Sequence, residues 1–517
     1  MKAHPDSSSH RARPLMVQGT MSNVGKSLLV AGLARVFAQD GYRVAPFKAQ
    51  NMALNSGVTM DGLEMGRAQL MQAEAAGVES DVRMNPILLK PEGHIGSQVI
   101  VMGEAVDSMP ARAYFRYRER LVDVVRGAYG SLAADFDIVL IEGAGSPAEV
   151  NLGRDPFVNM GMARLADAPV LLVGDIDPGG VFAQLYGTLE LLEPEDRARV
   201  KGLVVNKLRG DATLLEPGLS DFGARCGVPV LGAVPYVSLD LDDEDSLSDR
   251  LCHVRGGEDS VIDIAVIRLP HLSNFTDFNA LDRVTGTCVR YVSDPERLGR
   301  PDLLIVPGTK RTMDDLRWLR ASGTESCIRA LAAAGTPVVG ICGGFQMLGE
   351  SLVDDAGTEG GGELSGLGLL PVQTVFGPHK RRVRTGYGLR VPDGPFARLD
   401  GLEAQGYEIH TGQTTMCQKG TGAFCHILPL GPGDGGGGLS GLICGNVLGT
   451  YLHGFFDATG IAEALVSSLL EARGLPGDLP VAEDWAEARQ RSYDILADTL
   501  RAHLDIDAIY RIMGVLR

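Results

Sequence analysis

The chain has 517 residues, too many for one hydrophobic core, and 44% of them are hydrophobic, enough to fill two or more packed interiors. Acidic residues outnumber basic ones 65 to 48, a formal net charge of −17, which argues against a nucleic-acid partner that would need a basic face. No apolar run approaches the ~20 residues that span a bilayer, so no membrane partner is expected. Residues 1–13 are polar and lack the apolar stretch of a secretory signal, which predicts a disordered leader. The 8 cysteines form no CxxC pair, so neither a zinc site nor a disulfide framework is expected, and the setting reads as reducing cytoplasm.

Pro14–Val17 is an apolar run suited to a buried strand, and Leu28–Phe37 has a helical apolar pattern. Between them, Val17-Gln-Gly-Thr-Met-Ser-Asn-Val-Gly-Lys-Ser27 reads as a phosphate-binding loop. Glycines let backbone N–H groups turn onto an anion, the helix start adds positive potential, Lys26 reaches the outer phosphates, and the Ser27 hydroxyl sits on Mg²⁺. The spacing departs from the usual pattern. Five residues, not four, separate Gly19 from Gly25, and Thr20 stands where the first glycine is expected.

Arg43–Phe47 predicts a second strand, leading into Lys48-Ala-Gln-Asn-Met-Ala-Leu-Asn-Ser56, whose amides and lysine suit ligand contacts at a strand end. Gly66–Ala76 and Pro110–Ala134 read as helices. Asp137–Ile141 is an apolar strand ending in Glu142-Gly-Ala-Gly145, and an acid there, beside a phosphate loop, is where Mg²⁺ is held. Ser27 and Glu142 are therefore the metal candidates. Further apolar strands at Ala168–Val173, Val200–Val205 and Val228–Val234 alternate with helices, the signature of a parallel sheet covered on both faces. A synthetase-like domain over 14–238, an acidic linker over 239–260, and a second α/β domain with C-terminal helices over 261–517 follow. The glycine-rich stretches Gly357–Gly362 and Gly431–Gly438 read as flexible surface insertions, and the basic run Lys380–Arg384 could hold a small anion.

In the second domain, Thr336-Pro-Val-Val-Gly-Ile-Cys-Gly-Gly-Phe-Gln-Met-Leu-Gly349 runs an apolar strand into a glycine-flanked cysteine and a helix. That is the pattern of a nucleophile elbow, with Cys342 activated at a helix start. The N–H of Gly343 and one from Pro307-Gly308-Thr309 could form an oxyanion hole. The base is expected at His453, in Asn446-Val-Leu-Gly-Thr-Tyr-Leu-His453; His410 is the rival.

The cysteine elbow followed by Tyr-Leu-His-Gly resembles the class I glutamine amidotransferases, in which an acid two residues beyond the histidine completes a triad. Here that place is Phe455, and Asp457 is off-pattern, leaving the orienting acid open. Gly19-Thr-x-Ser-x-x-Gly-Lys-Ser27, Glu142-Gly-Ala-Gly145 and Asn206-Lys207 resemble dethiobiotin synthetase, which implies ATP contacts at Thr20, Ser22, Gly25, Lys26, Ser27, Asn206 and Lys207. The fusion of both halves is similar to the cobyric acid synthase and cobyrinic acid a,c-diamide synthase group. Pro46–Ser56, Ile141–Asn151, Gly179–Ala183 and Tyr407–His410 point to the first of the two.

That resemblance implies glutamine- and ATP-dependent amidation of the b, d, e and g carboxylates of a corrinoid. Lys48, Gln50, Asn51, Asn55 and Asn151 would meet the corrinoid, and ATP with Mg²⁺ would drive each step. The partners are small molecules, the oligomeric state stays open, and no cobalt ligand is implied. Two rival readings are a different ATP-dependent amidotransferase, such as the a,c-diamide synthase, and a P-loop regulatory ATPase with an inert appendage. The Lys48–Ser56 segment argues against the first, the intact Cys342 and His453 against the second.

Overall fold

The structure is a computed structural model that describes residues 11–92, 96–150, 156–237, 239, 241, 260–417, 425–429, 438–477 and 485–515. It divides into two compact units. One comprises Met1–Ala53, Leu63–Leu241 and Ala488–Arg517, the other Leu54–Gly62 and Asp242–Glu487.

The first unit is built on a six-stranded parallel sheet. Its order is Val230–Pro235, Val200–Leu208, Val170–Asp175, Arg13–Gly19, Ile138–Glu142, Val44–Phe47. The inner strands are continuously apolar because helices cover both faces: Leu15, Val17, Ile141 and Leu171 are all fully buried. Arg13–Gly19 lies between strands reached in opposite directions along the chain, a topological switch point whose carboxyl-end crevice is the ordinary ligand site of open α/β sheets. A second sheet of Gln50–Met52, Ile87–Glu92, Gly96–Val101 and Glu104–Pro110 is an addition that no apolar pattern announces.

The second unit carries an 11-stranded mixed sheet. Its parallel core runs Thr287–Val292, Ile262–Ile267, Leu303–Val306, Val338–Ile341, Val447–Thr450, and its antiparallel flank includes the long hairpin of Val372–Leu389 with Glu403–Met416.

The units differ from the domain bounds expected from sequence in three places. Arg13 opens the first strand instead of closing a leader; residues 1–10 lie outside the described residues. Residues 54–62 belong with the second unit. The chain's last helices belong with the first: Leu496, Leu500, Ile509, Tyr510 and Met513 join Leu29, Leu33 and Phe37 of the helix Lys26–Gln39 in one core. That helix is apolar on two faces, and the second needs a cover. Of the acidic linker, only residues 239, 241 and 260 are described. Gly357–Gly362 is no loose insertion. The Asp354 carboxylate, 1% exposed, accepts N–H bonds from Thr358, Glu359 and Gly361 and fixes the loop. Residues 431–437 of the other glycine-rich stretch lie outside the described residues.

Candidate active sites

In the first unit, residues 20–25 leave the carboxyl end of Arg13–Gly19 and enter the helix Lys26–Gln39. Gly25 has φ 89°, which favours glycine, and a Cβ there would collide with the Asn206 side-chain amide. Asn206 donates to the Val24 carbonyl at 2.7 Å, and Lys207 Nζ to the Asn23 carbonyl at 2.6 Å, so both brace the loop from the end of Val200–Leu208, the next strand but one in the sheet. Lys207 also pairs with Asp175 at 2.8 Å. Lys26 Nζ donates to the carbonyls of Met21 (3.0 Å) and Gly145 (3.3 Å), spanning the mouth of the loop. The Thr20 hydroxyl donates to Gln184 at 3.3 Å, and Ser22 lies exposed on the rim.

Three donors converge on Glu142, which is 2% exposed. Ser27 Oγ stands 2.9 Å from Oε1, Lys48 Nζ 2.7 Å from the same oxygen, and Gln72 Nε2 2.6 Å from Oε2. A buried carboxylate is tolerable only when paired and hydrogen-bonded, and here it is both. A hydroxyl and a carboxylate oxygen side by side are hard donors suited to Mg²⁺, which takes few protein ligands and completes its shell with phosphate and water.

Further along the chain, Gln50 accepts from the Tyr114 hydroxyl at 2.5 Å and Asn51 donates to Gln69 at 3.1 Å. Gln69 is fully buried and its Nε2 has no partner within the first unit's described contacts. Asn55, 1% exposed, falls in the second unit, and Asn151 lies outside the described residues.

In the second unit, Cys342 follows the strand Val338–Ile341 with φ 50° and ψ −107°, a strained conformation for a non-glycine residue. Its N–H donates to Thr450 O at 2.7 Å, which pins the elbow to the adjacent strand. Gly344 allows the tightness, since a Cβ there would run into the Val306 carbonyl. Register sets the partners. Ile341 pairs with Thr450, three residues before His453, while Leu303–Val306 on the other side leads to Gly308. The Cβ position of Gly308 lies 3.2 Å from His453 Cε1, and that of Gly343 lies 3.2 Å from the Thr309 nitrogen, so both oxyanion candidates border the pair.

His453 is buried. Its Nδ1 meets Asp277 Oδ2 at 2.7 Å, and Asp277 Oδ1 accepts the Gly454 N–H at 3.1 Å. Burial opposes a charged imidazole, but the Asp277 carboxylate and the adjacent Cys342 sulfur outweigh it and hold the His453 pKa well above its usual value. The orienting acid left open by the sequence is thus Asp277, 176 residues upstream, while Phe455 is 1% exposed in the core and Asp457 sits in a turn beyond. His410 stacks on Tyr451 with centroids 3.6 Å apart, and its Nδ1 lies 2.7 Å from the Gly412 carbonyl. It lines the neighbourhood, but its ring is committed there. Arg381 of the basic run pairs with Glu408 at 2.6 Å.

Residues 15–246 match the family described as "CobQ/CobB/MinD/ParA nucleotide binding domain", and residues 263–461 match the "CobB/CobQ-like glutamine amidotransferase domain". The chain is 51% identical over 502 residues to a cobyric acid synthase of Ruminiclostridium cellulolyticum, covering 97% of both proteins. It is 49% identical to one of Lachnoclostridium phytofermentans, covering 97% of this chain and 99% of that one. To one of Photorhabdus laumondii it is 48% identical, covering 96% and 98%.

The chain belongs to the cobyric acid synthase family.

It is accordingly an ATP-dependent, glutamine-hydrolysing amidotransferase of the ligase type, and neither the a,c-diamide synthase nor the inert-appendage reading stands. For a member of the cobyric acid synthase family, two groups in these centres escaped sequence reading. Asp277 stands in Asn274-Phe-Thr-Asp-Phe278, a polar break between apolar runs with no chemistry-bearing pattern. Gln72 lies within a predicted helix and had no mark to set it apart from a solvent-facing polar residue. Among the described residues, no helix is long and apolar enough to cross a membrane.

Proposed function

We propose that the chain amidates the b, d, e and g carboxylates of adenosylcobyrinic acid a,c-diamide, with Cys342, His453 and Asp277 as its glutaminase and the Thr20–Ser27 loop as its ATP site. The observation that carries the glutaminase assignment is the strained Cys342 beside an imidazole already fixed by a buried carboxylate. Proton transfer from the Cys342 thiol leaves His453 as the imidazolium that its surroundings favour, and the sulfur adds to the glutamine carboxamide carbon. N–H groups of Gly343 and Gly308 receive the developing oxyanion. The imidazolium returns its proton to the leaving nitrogen, ammonia departs, and water then releases glutamate from the thioester.

A carboxylate is a poor acyl donor to ammonia. Its oxygen first takes the γ-phosphoryl group of ATP, leaving ADP and an acyl phosphate. Ammonia then adds to the acyl carbon and phosphate departs. Thr20, Ser22, Gly25, Lys26, Asn206 and Lys207 hold the nucleotide, and Lys26 offsets charge gathering on the transferring group. Mg²⁺ on Ser27 and Glu142 would neutralise the phosphates. Lys48, Gln50, Asn51, Asn55 and Asn151 hold the corrinoid's amide and carboxylate arms by hydrogen bonds. Making ammonia on the same polypeptide raises its effective concentration at the acceptor. Among the described residues the cysteines at 226, 288, 327, 342, 417 and 444 are free, which fits a reducing cytoplasm.

The test is a mass-spectrometric count of amides added to cobyrinic acid a,c-diamide by wild type and Cys342→Ala, each with Mg-ATP and either glutamine or ammonium. Four amides from wild type with either nitrogen source, and from the variant with ammonium alone, are expected. Turnover of ATP and glutamine without any change in the corrinoid would overturn the acceptor assignment.

A further inference from the structure

The second unit includes a short piece of the chain's early sequence, Leu54–Gly62, in which only Asn55 has a part in the proposed chemistry. Within it, the strand Ser56–Val58 is fully buried. Its contacts gather around one stretch of the hairpin. Val58, Tyr407 and Ile409 form a small separate apolar cluster. The Ser56 carbonyl accepts the Tyr407 hydroxyl at 3.0 Å, and the Ser56 N–H donates to Asn274 Oδ1 at 3.2 Å.

Each of those contacts lies one step from the catalytic pair. Tyr407 stacks on His453, with centroids 5.2 Å apart and planes 23° from parallel, and the two residues exchange both backbone hydrogen bonds, at 3.2 and 2.9 Å. The Ile409 carbonyl is the acceptor for the Cys342 thiol at 3.5 Å. Asn274, at φ 51°, opens the turn Phe275–Phe278 that presents Asp277, whose N–H returns to the Asn274 carbonyl at 3.1 Å. Asp277 fixes one nitrogen of His453 but leaves the ring free to tilt about that bond. A second constraint on the ring face is needed to aim the other nitrogen at sulfur, and among the described residues the ring stacked on His453 is that of Tyr407.

We propose that Tyr407 is a positioning residue for His453, held in place by the ribbon Ser56–Val58, so that the glutaminase depends on a segment from the chain's N-terminal half. The proposal rests on the Cys342–His453 glutaminase described above. Among the described residues, Asp277, Cys342 and Tyr407 face His453, and of these Tyr407 is neither a proton donor to it nor its ion partner.

The experiment compares glutamine hydrolysis by wild type, Tyr407→Phe and Tyr407→Leu, read as kcat, KM and the pH profile of kcat/KM, with ammonium-supported amidation as the control. Losing the hydroxyl alone should lower kcat roughly three- to tenfold, one hydrogen bond's worth, with KM for glutamine within about twofold. Losing the ring should lower kcat about a hundredfold. It should also move the alkaline limb about half a unit or more toward lower pH, because a ring stacked on the imidazolium favours the protonated form. Ammonium-supported amidation should stay at the wild-type rate in both. A Tyr407→Leu profile superimposable on wild type would overturn the proposal. If that variant does not fold, an unchanged kcat in Tyr407→Phe overturns it instead. Retention of glutamine hydrolysis by Cys342→Ala would point elsewhere, to failure of the underlying glutaminase reading.

Discussion

Replacing Asp277 with Asn tests the glutaminase at its least conspicuous member. The carboxylate is buried and spends one oxygen on the Gly454 N–H and the other on His453 Nδ1. An asparagine of the same shape has only one acceptor. The Gly454 N–H demands it, so the NH₂ group turns to Nδ1 and forces the imidazole proton onto the nitrogen that should face sulfur. The variant therefore carries the wrong tautomer as well as a lost charge. Loss of tautomer and imidazolium support together is worth about 10²- to 10⁴-fold in rate, or about 3–5 kcal/mol at the transition state. Asp277→Ala frees the ring but takes the acceptor from the half-buried Gly454 N–H, a stability cost of about 1 kcal/mol. Asn should thus damage kcat at least as much as Ala while unfolding later. Glutamate release with glutamine as sole substrate measures the first, denaturant melts the second, and ammonium-supported amidation reports intact folding. An Asn variant within tenfold of wild type, with that control intact, would refute the reasoning. Asp457→Asn should stay within about threefold.

Three further outcomes follow from the geometry. Glu142→Ala breaks the buried Lys48–Glu142 pair, whose side chains are 6% and 1% exposed, and should cost about 3–5 kcal/mol in a urea melt. The double change Glu142→Leu with Lys48→Met should recover most of that stability and none of the ATP-dependent amidation, with basal glutaminase unchanged. Gly25→Ala forces a side chain into φ 89° and against Asn206, and should raise the KM for ATP at least tenfold without altering glutamine hydrolysis. Glu359 is half-buried at the start of the helix Thr312–Ala321, where it accepts the Thr312 N–H at 2.8 Å; loss of hydration, against the pull of Lys310 and that N–H, pushes its carboxyl up to about 7 from 4.5. The native state then binds more protons than the unfolded one, so the group's contribution is whole below pH ~4.5 and is lost as pH rises through 7. The stability of Glu359→Gln relative to wild type should rise by about 3 kcal/mol between pH 4.5 and 8, read from denaturant midpoints; a flat difference would show the carboxyl is not held neutral.

What could be read from the sequence is what the chain writes contiguously. The phosphate loop is one such feature, because strand, turn and helix must follow within a dozen residues for N–H groups to converge on an anion. The cysteine elbow is another, because strain on one residue is released only by the glycines beside it. His453 and Glu142 were reachable for a related reason: each ends an apolar strand, and strand ends in parallel sheets gather at one edge. Asp277, Gln72 and the closing helices were not, because their roles are set by packing between stretches far apart in the chain. Asp277 reaches His453 across 176 residues, and Leu500 covers a face of the Lys26–Gln39 helix that its own sequence shows only as surplus apolarity.

The segment 48–62 shows why such a division is physical and not a matter of inattention. Its polar residues read as candidate ligands at a strand end, yet Lys48, Gln50 and Asn51 stay with the nucleotide unit while Ser56 and Val58 pass to the amidotransferase unit. A hydrogen-bonding backbone at Ser56 has no sequence signature, since every residue carries an N–H and a carbonyl. Only the fold decides that these two groups meet Asn274 and Tyr407. A substitution at position 56 that keeps the backbone, such as Ser56→Ala, should therefore leave glutamine hydrolysis within about twofold. Ser56→Pro removes the N–H and with it the tie to Asn274, and should lower kcat by an amount comparable to Tyr407→Phe. Equal rates for the two position-56 variants would refute a backbone role.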